Sequence, residues 1–194
     1  MSISRQTLTI VIVTFKSEKV IDNCIKSISD QIKIIIVDNS NDQNFKDTLE
    51  KKYENVECIL SSSNLGMGSG NNLGLNNVKT EYALILNPDV ILRDNTISEI
   101  INESKKIDSF AVLAPLSEDD KNPNYKIKKI DKKNINNLNP FKVESVDGFA
   151  MLLNLKKINQ IPDFQNKKYF DENFFMYLEN DDFCKRLRQY NQNI

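Results

Sequence analysis

Histidine and tryptophan are absent from all 194 residues. Without histidine, no Ser-His-Asp triad and no histidine-rich metal site can be built. Only three cysteines occur, Cys24, Cys58 and Cys184. They are odd in number, scattered and without CxxC spacing, so they read as reduced intracellular thiols rather than disulfides or zinc ligands. No apolar run approaches the roughly 20 residues of a spanning helix, and the N-terminus lacks a signal-peptide pattern, which leaves peripheral membrane contact open. A basic excess is missing too. The net charge of -1 argues against nucleic acid as the main partner.

What is present is an alternation of short β-branched runs and helical spacing. With 40 % hydrophobic and 27 % charged residues, the composition predicts one soluble globular domain with a sizeable core. Leu8 to Thr14 suits a central parallel strand, and Ser17 to Asp30 carries apolar residues at helical spacing. Ile32 to Val37 predicts a second strand, Phe45 to Tyr53 a short helix, and Val56 to Leu60 a third strand. Ala83 to Leu86, unbroken and apolar, predicts a fourth strand buried on both faces. Thr96 to Lys105 reads as a helix and Phe110 to Leu113 as a fifth strand. Such alternation implies an α/β, doubly wound parallel sheet. From Ser117 to Pro140 the chain is polar, a solvated excursion or edge hairpin with a strand at Tyr125 to Ile130. Val143 to Leu153 is strand-like, and Gly148 interrupts it, suggesting close approach of backbone or ligand. Pro162 to Asn173 reads as a loop, and Tyr177 to Tyr190 as a helix opened by acids that complement its dipole.

Chemistry gathers at the predicted strand ends. Pro88 lacks an amide hydrogen and forces Asn87 out of helical geometry, so Asn87 and Asp89 are presented just past the fourth strand. In open α/β sheets ligands bind at that edge, and a carboxylate there suits Mg²⁺ or Mn²⁺ on a nucleotide diphosphate. The same tripeptide is also an ordinary turn with a helix cap. Thr14 to Glu18 follow the first strand and Asp38 to Asp42 the second, where Asp38 is placed to accept from a base or ribose. Asn64 to Gly74 holds four of the five glycines. That clustering would let backbone approach a diphosphate, with free amides at the following helix start. The first βα turn, Phe15-Lys16-Ser17-Glu18, has no glycine, which counts against a dinucleotide fingerprint. Glu179, Asp181 and Asp182 open the last helix, where a general base or simple dipole stabilisation is equally in view.

Taken in order, these segments resemble family 2 of the inverting glycosyltransferases, with bacterial rhamnosyltransferase-like enzymes of cell-surface polysaccharide synthesis within it. The segments are Val11-Ile-Val-Thr-Phe-Lys-Ser17, Val37-Asp-Asn-Ser-Asn-Asp42, Asn64-Leu-Gly-Met-Gly-Ser-Gly-Asn-Asn72, Leu86-Asn-Pro-Asp89 and Asp147-Gly-Phe-Ala-Met-Leu152. The resemblance covers essentially the whole chain. It implies a GT-A fold, Rossmann-like and mostly parallel with helices on both faces, in one domain over residues 1–194. Residues 1–115 would form the nucleotide-sugar-binding half and 116–194 an acceptor-side half. It further implies transfer of a sugar from a UDP- or dTDP-linked donor to a hydroxyl of a glycan or lipid-linked saccharide, in the cytoplasm at the inner face of the cell membrane. The donor contacts it implies are Thr14, Phe15, Ser17, Glu18, Asp38, Asn39, Asn64, Gly66, Gly70, Asn71 and Asn87, with Mg²⁺ or Mn²⁺ at Asp89 and Asp147 with Gly148 facing the acceptor.

Two departures stand out. The family's last motif usually reads Phe-Phe-x-Tyr-x-Glu-Asp-x-Asp-Leu, and its second acid is the usual catalytic base. Here Phe174-Phe-Met-Tyr-Leu-Glu-Asn-Asp-Asp182 puts Asn180 at that place. An amide cannot take up the proton, so Asp181, narrowly ahead of Glu179, is expected to substitute, or the chain binds without catalysing. The family also continues beyond the point where Ile194 falls, so a C-terminally truncated domain with an incomplete acceptor side is expected.

Overall fold

Leu8–Thr14 forms β1, and all seven of its residues are buried. A run of β-branched side chains covered on both faces is what a central parallel strand requires. The computed structural model describes residues 3–28, 31–118, 123–128 and 139–194. In it β1 lies between β2 (Lys33–Asp38) and β4 (Tyr82–Leu86), with β3 (Val56–Leu60) beyond β2, all four strands parallel. On the other side β8 (Ala150–Asn154) runs antiparallel to β4, and β5 (Val112–Leu113) completes the order β3-β2-β1-β4-β8-β5. Tyr125–Lys126 (β6) and Ser145–Val146 (β7) pair separately.

Alternate residues of the strands face two layers. Ile10, Ile12, Ile34, Ile36, Leu84 and Leu86 pack under α1 (Ile21–Lys26), α2 (Gln43–Lys52) and α4 (Thr96–Ser104). Val11, Ala83, Ile85, Met151 and Leu153 pack under α3 (Gly66–Asn77), α5 (Leu155–Ile158) and α6 (Glu179–Gln189). Each fully buried Ile or Leu contributes about 1.5–3 kcal/mol. A one-residue slip of β1 would exchange the two sets, which pins the register.

The mostly parallel α/β sheet agrees with the sequence expectation, and several details correct it. The first helix begins only at Ile21, because Ser17 O takes the amides of Val20 and Ile21 in a turn. Asp30 lies outside the described residues. The fifth strand is shorter than expected since the Ala111 amide goes to Asn193 O. The Val143 to Leu153 pattern is two strands, β7 and β8, with Gly148 in the turn between them. Only Tyr125–Lys126 of the 125–130 strand is seen, and 119–122 and 129–138 of the polar excursion lie outside the described residues. The loop aromatics Phe164, Tyr169 and Phe170 are core residues. The glycine passage is a correction of kind: Gly66–Asn77 is the helix α3 itself, not a loop ahead of one.

Candidate functional site

The strand order runs outward from β1 through β2 and β3, then jumps back across β1 to β4. In an open α/β sheet such a reversal marks where a ligand binds, outside the carboxyl ends of β1 and β4. The residues around it are fastened by a buried carboxylate. Asp38, 1 % exposed, accepts at Oδ1 from the Thr14 hydroxyl at 2.9 Å and the Ser40 hydroxyl at 3.1 Å, and at Oδ2 from the Asp42 amide at 3.0 Å. Asn39 N donates to Thr14 O at 2.8 Å, and Lys16 N, in left-handed backbone, to Ser40 Oγ at 2.8 Å. The turns after β1 and β2 are therefore one knot. Asp38 and Thr14 are buried in this knot, and the donors shown on Asp38 come from the protein itself. They hold Phe15, Ser17 and Glu18 at the rim, of which Phe15 and Glu18 are exposed and Ser17 half-buried.

At the end of β4 the Asn87 amide donates to Phe149 O at 2.9 Å, and Val90 N closes a turn on Asn87 O at 3.2 Å. Asn87 and Pro88 are half-buried and Asp89 is exposed. Beneath them lies the thiol of Cys24, which donates to Asn87 O at 3.6 Å. Burial, and then the charge of Asp89, push this thiol up to about 12, which leaves it inert as a nucleophile. Among the described residues no three His, Cys, Asp or Glu side chains cluster as a metal cage. Asp89 fits the other mode of holding Mg²⁺ or Mn²⁺, in which one or two carboxylates share the ion with substrate phosphates.

The glycines of α3 serve packing. A Cβ at Gly70 would stand 2.8 Å from Val13 Cγ1, and one at Gly74 would stand 2.4 Å from Val11 Cγ1, so α3 lies flush on β1 and Gly70 faces the sheet rather than the rim. The sequence led us to expect free amides at the start of this helix, but the first two are taken, Gly66 N by Asn64 Oδ1 at 3.1 Å and Met67 N by Phe175 O at 2.9 Å. Two buried amide oxygens near this helix lack partners among the protein atoms, Asn39 Oδ1 and Asn71 Oδ1, and Asn39 Nδ2 donates to Gly66 O at 3.0 Å. Unpaired buried acceptors call for a donor hydrogen from water or a ligand.

The acids of α6 part company. Asp181 accepts from Ser145 Oγ at 2.6 Å and from the ammonium of Lys126. Burial pushes its carboxyl up, but the bonds from Lys126 and Ser145 outweigh that and pull it below the usual aspartate range. Glu179 goes the other way. Burial, opposed by its own backbone amide and aided by the charge of Asp181, holds its carboxyl above the usual glutamate range, and Oε2 is buried without a partner. A base must be free to accept, and of the two acids Asp181 is held by Lys126 and Ser145 while Glu179 keeps one oxygen without a partner. Asn180 donates to Val146 O at 2.7 Å and is thereby anchored to β7. Its Cβ lies 3.8 Å from where a Gly148 Cβ would be, an ordinary contact rather than the close approach expected of Gly148. Asp147, beside it, is exposed.

One path of contacts joins these parts. Asn180 meets Gly148, the neighbouring Phe149 carbonyl takes the Asn87 amide, and Asp89 follows two residues on. Asn180, which the sequence marks only as an amide in the usual base position, and Asn72, which it places only in the glycine-rich segment, serve as anchors whose partners, the Val146 carbonyl and the Phe170 backbone, lie too far along the chain for a motif to show.

Comparisons with known proteins agree with this architecture. Residues 9–185 match the family described as Glycosyl transferase family 2. The low-salt glycan biosynthesis hexosyltransferase Agl10 of Haloferax volcanii is 30 % identical over 205 residues, covering 96 % of this chain and 63 % of that protein. The mannosyltransferase PcManGT from Pyrobaculum calidifontis, solved in complex with GDP-Man and Mn²⁺, superposes with a TM-score of 0.70 at 9 % identity, over 96 % of this chain and 53 % of that one. S. aureus TarS 1-349 in complex with UDP-GlcNAc gives 0.62 at 18 % identity, over 92 % and 52 %. These two structures speak to the fold, which is GT-A. The chain spans under two thirds of the Haloferax relative and about half of each solved chain. Matched along nearly its whole length, the chain belongs to glycosyltransferase family 2.

Proposed function

We propose that this chain transfers a hexosyl group from a nucleoside-diphosphate donor to a hydroxyl of a glycan or lipid-linked saccharide, with inversion. The observation that carries the reading is the path of contacts from the start of α6 to the end of β4, Asn180 against Gly148 and Phe149 O on the Asn87 amide, which ties the turn that carries the exposed Asp89 to the helix that begins with Glu179, whose Oε2 is buried without a partner. The knot around Asp38 would shape the nucleotide end through Phe15, Ser17, Glu18 and Asn39, with Asn64 just ahead of α3 and Asn71 within it. Asp89 would hold Mg²⁺ or Mn²⁺, which when bound neutralises charge on the leaving diphosphate. Glu179 would accept the proton of the attacking hydroxyl, and burial keeps its basicity above that of an ordinary carboxylate. Asp147 and Gly148 would border the acceptor. The nucleotide complexes of the structural neighbours, GDP-Man in one and UDP-GlcNAc in another, and the glycan-biosynthesis relative support the donor class. A lipid-linked acceptor would place the reaction in the cytoplasm at the inner membrane face. Among the described residues no helix is long and apolar enough to cross a membrane.

The test is thermal stability in Mn²⁺ with UDP-, dTDP- and GDP-sugars, followed by detection of released nucleotide. A ligand that binds the native state raises the midpoint. No rise with any of them counts against the reading. A second reading, a sugar-nucleotide-binding module without catalysis, is favoured by Asn180 in the usual base position, bonded to Val146 O. It predicts the same midpoint rise with no turnover.

A further inference from the structure

Segment 170–178, which leads into α6, is fastened to α3 at three places. Asn72, buried, donates from Nδ2 to Phe170 O at 2.8 Å and accepts from Phe170 N at 2.9 Å, as a neighbouring strand would. Gly68 leaves room for Phe170 and for the Phe174 carbonyl, each 3.4 Å from a Cβ placed there. At the first turn Met67 N donates to Phe175 O, and a Cβ at Gly66 would fall 2.1 Å from that oxygen. Gly66 also has φ +75, a conformation that other residues rarely adopt. No larger residue fits there with the contact intact. Beyond the last fastening the chain turns through Tyr177 and Leu178, both left-handed at φ 69 and 70, and delivers Glu179 as the first residue of α6. Non-glycine residues hold that backbone only when their surroundings impose it. Phe175, Met176, Tyr177 and Leu178 are all exposed, so burial of their side chains does not impose it. The bonds to α3 on one side hold it, and on the other the Asp182 amide on Leu178 O and the Asn180 bond to Val146 do so.

We propose that Gly66 and Asn72 are positioning residues of the transfer reaction: by clamping segment 170–178 to α3 they fix where the Glu179 carboxylate stands. The proposal rests on Glu179 being the base. It gives the glycines and asparagines of the 64–72 segment a task apart from contacting the donor. Because Asn39 Nδ2 donates to Gly66 O, the clamp also joins the donor-side turn after β2 to the base.

Amide exchange in the unaltered chain is the first test. Met67 N should exchange slowly, although first-turn helix amides are ordinarily open. Exchange as fast as an open amide overturns the proposal without recourse to any variant. The second test follows the Glu179 side-chain carboxyl by carbon NMR through a pH titration, in Gly66→Ala, Asn72→Ala and Gly74→Ala. Gly74→Ala presses on Val11 and Val37 and touches none of the clamp contacts, so it should lose thermal stability and keep the Glu179 titration where it was. Gly66→Ala and Asn72→Ala should move that titration down toward ordinary glutamate, since burial is the main cause that raises it, against its own backbone amide and with the charge of Asp181. An unmoved titration in both, or an equal shift in Gly74→Ala, overturns the proposal. In turnover the two clamp variants should lose about tenfold or more in kcat with the donor KM held, the mark of a displaced base. Wild-type kcat in both overturns it. Failure of the unaltered chain to bind any nucleotide would instead sink the functional reading, and exchange and titration do not depend on nucleotide.

Discussion

Thr14 Oγ1 and Asp38 Oδ1 stand 2.9 Å apart at the buried ends of adjacent parallel strands, hydroxyl donating to carboxylate. This contact, with the Ser40 hydroxyl and the Asp42 amide, makes Asp38 the fastening of the rim. Asp38→Ala strands three donors at once. It should cost about 3 kcal/mol, whereas Thr14→Val, which removes one, should cost about 1 kcal/mol. For a domain of this size the first corresponds to a fall of roughly 6–12 °C in Tm. Urea denaturation of both variants checks the order, and equal losses would show that the knot is not centred on Asp38.

The glycines make two opposite predictions. At Gly74 an added methyl meets Val11 Cγ1 at 2.4 Å inside a fully buried interface. Overpacking of that kind costs about 1–3 kcal/mol and should exceed the roughly 1 kcal/mol that alanine gains in helix propensity. Gly74→Ala is therefore expected to be destabilising. At Gly148 the nearest atom is Asn180 Cβ at 3.8 Å and the backbone is not left-handed, so Gly148→Ala should stay within about 0.5 kcal/mol of the parent. The two denaturation midpoints decide it.

The contrast explains what could be read from the sequence. Strands β1, β2 and β4 were legible because burial on both faces leaves a short unbroken run of apolar, largely β-branched residues, while β3, with Glu57 exposed, was legible from its alternation. The position of Asp89 was legible because Pro88 stops the strand. What the sequence concealed was depth. Asp38 looks like any turn aspartate, and only its three donors show it buried. Glycine spacing fits a phosphate loop and a close-packed helix equally well, and Val11 and Val13 settle the matter from a strand more than 50 residues away. The partners of the α6 acids were illegible for the same reason: Lys126 and Ser145, which bond Asp181, come from the small second sheet.

Exposure makes Asp89 a clean probe. Its side chain is not packed, so Asp89→Ala should leave the unfolding free energy within about 0.5 kcal/mol of the parent. If it holds the ion on a donor diphosphate, that variant should lose the stabilisation conferred by a nucleotide diphosphate with Mn²⁺. For the parent this stabilisation is about 2.7 kcal/mol at a hundredfold excess over Kd. Chelation of the metal should reproduce the loss in the parent. Nucleotide stabilisation that survives both treatments would remove Asp89 from the proposed donor site.

The acids of α6 can be separated by pH. Glu179 has its carboxyl raised by burial, so folding favours its protonated form. Its stabilising contribution is complete below the ordinary glutamate range and is lost as pH rises through the raised folded value. Asp181 is the reverse: lowered overall by Lys126 and Ser145 against its burial, it stabilises above the ordinary aspartate range, and that contribution fades as pH falls through the depressed folded value. Hence Glu179→Gln should be at least as stable as the parent at pH 7, with the advantage vanishing in acid, while Asp181→Asn should be less stable at pH 7 and converge on the parent in acid. Activity should follow Glu179. A base must be ionised, so the acid limb of kcat/KM should lie above the usual carboxylate range, and Glu179→Gln should lose at least about a hundredfold in kcat while retaining nucleotide binding. Asp181→Asn should keep most of kcat and shift the acid limb down, because it removes a charge that raises Glu179. A hundredfold loss of kcat in Asp181→Asn with little loss in Glu179→Gln would return the catalytic role to Asp181.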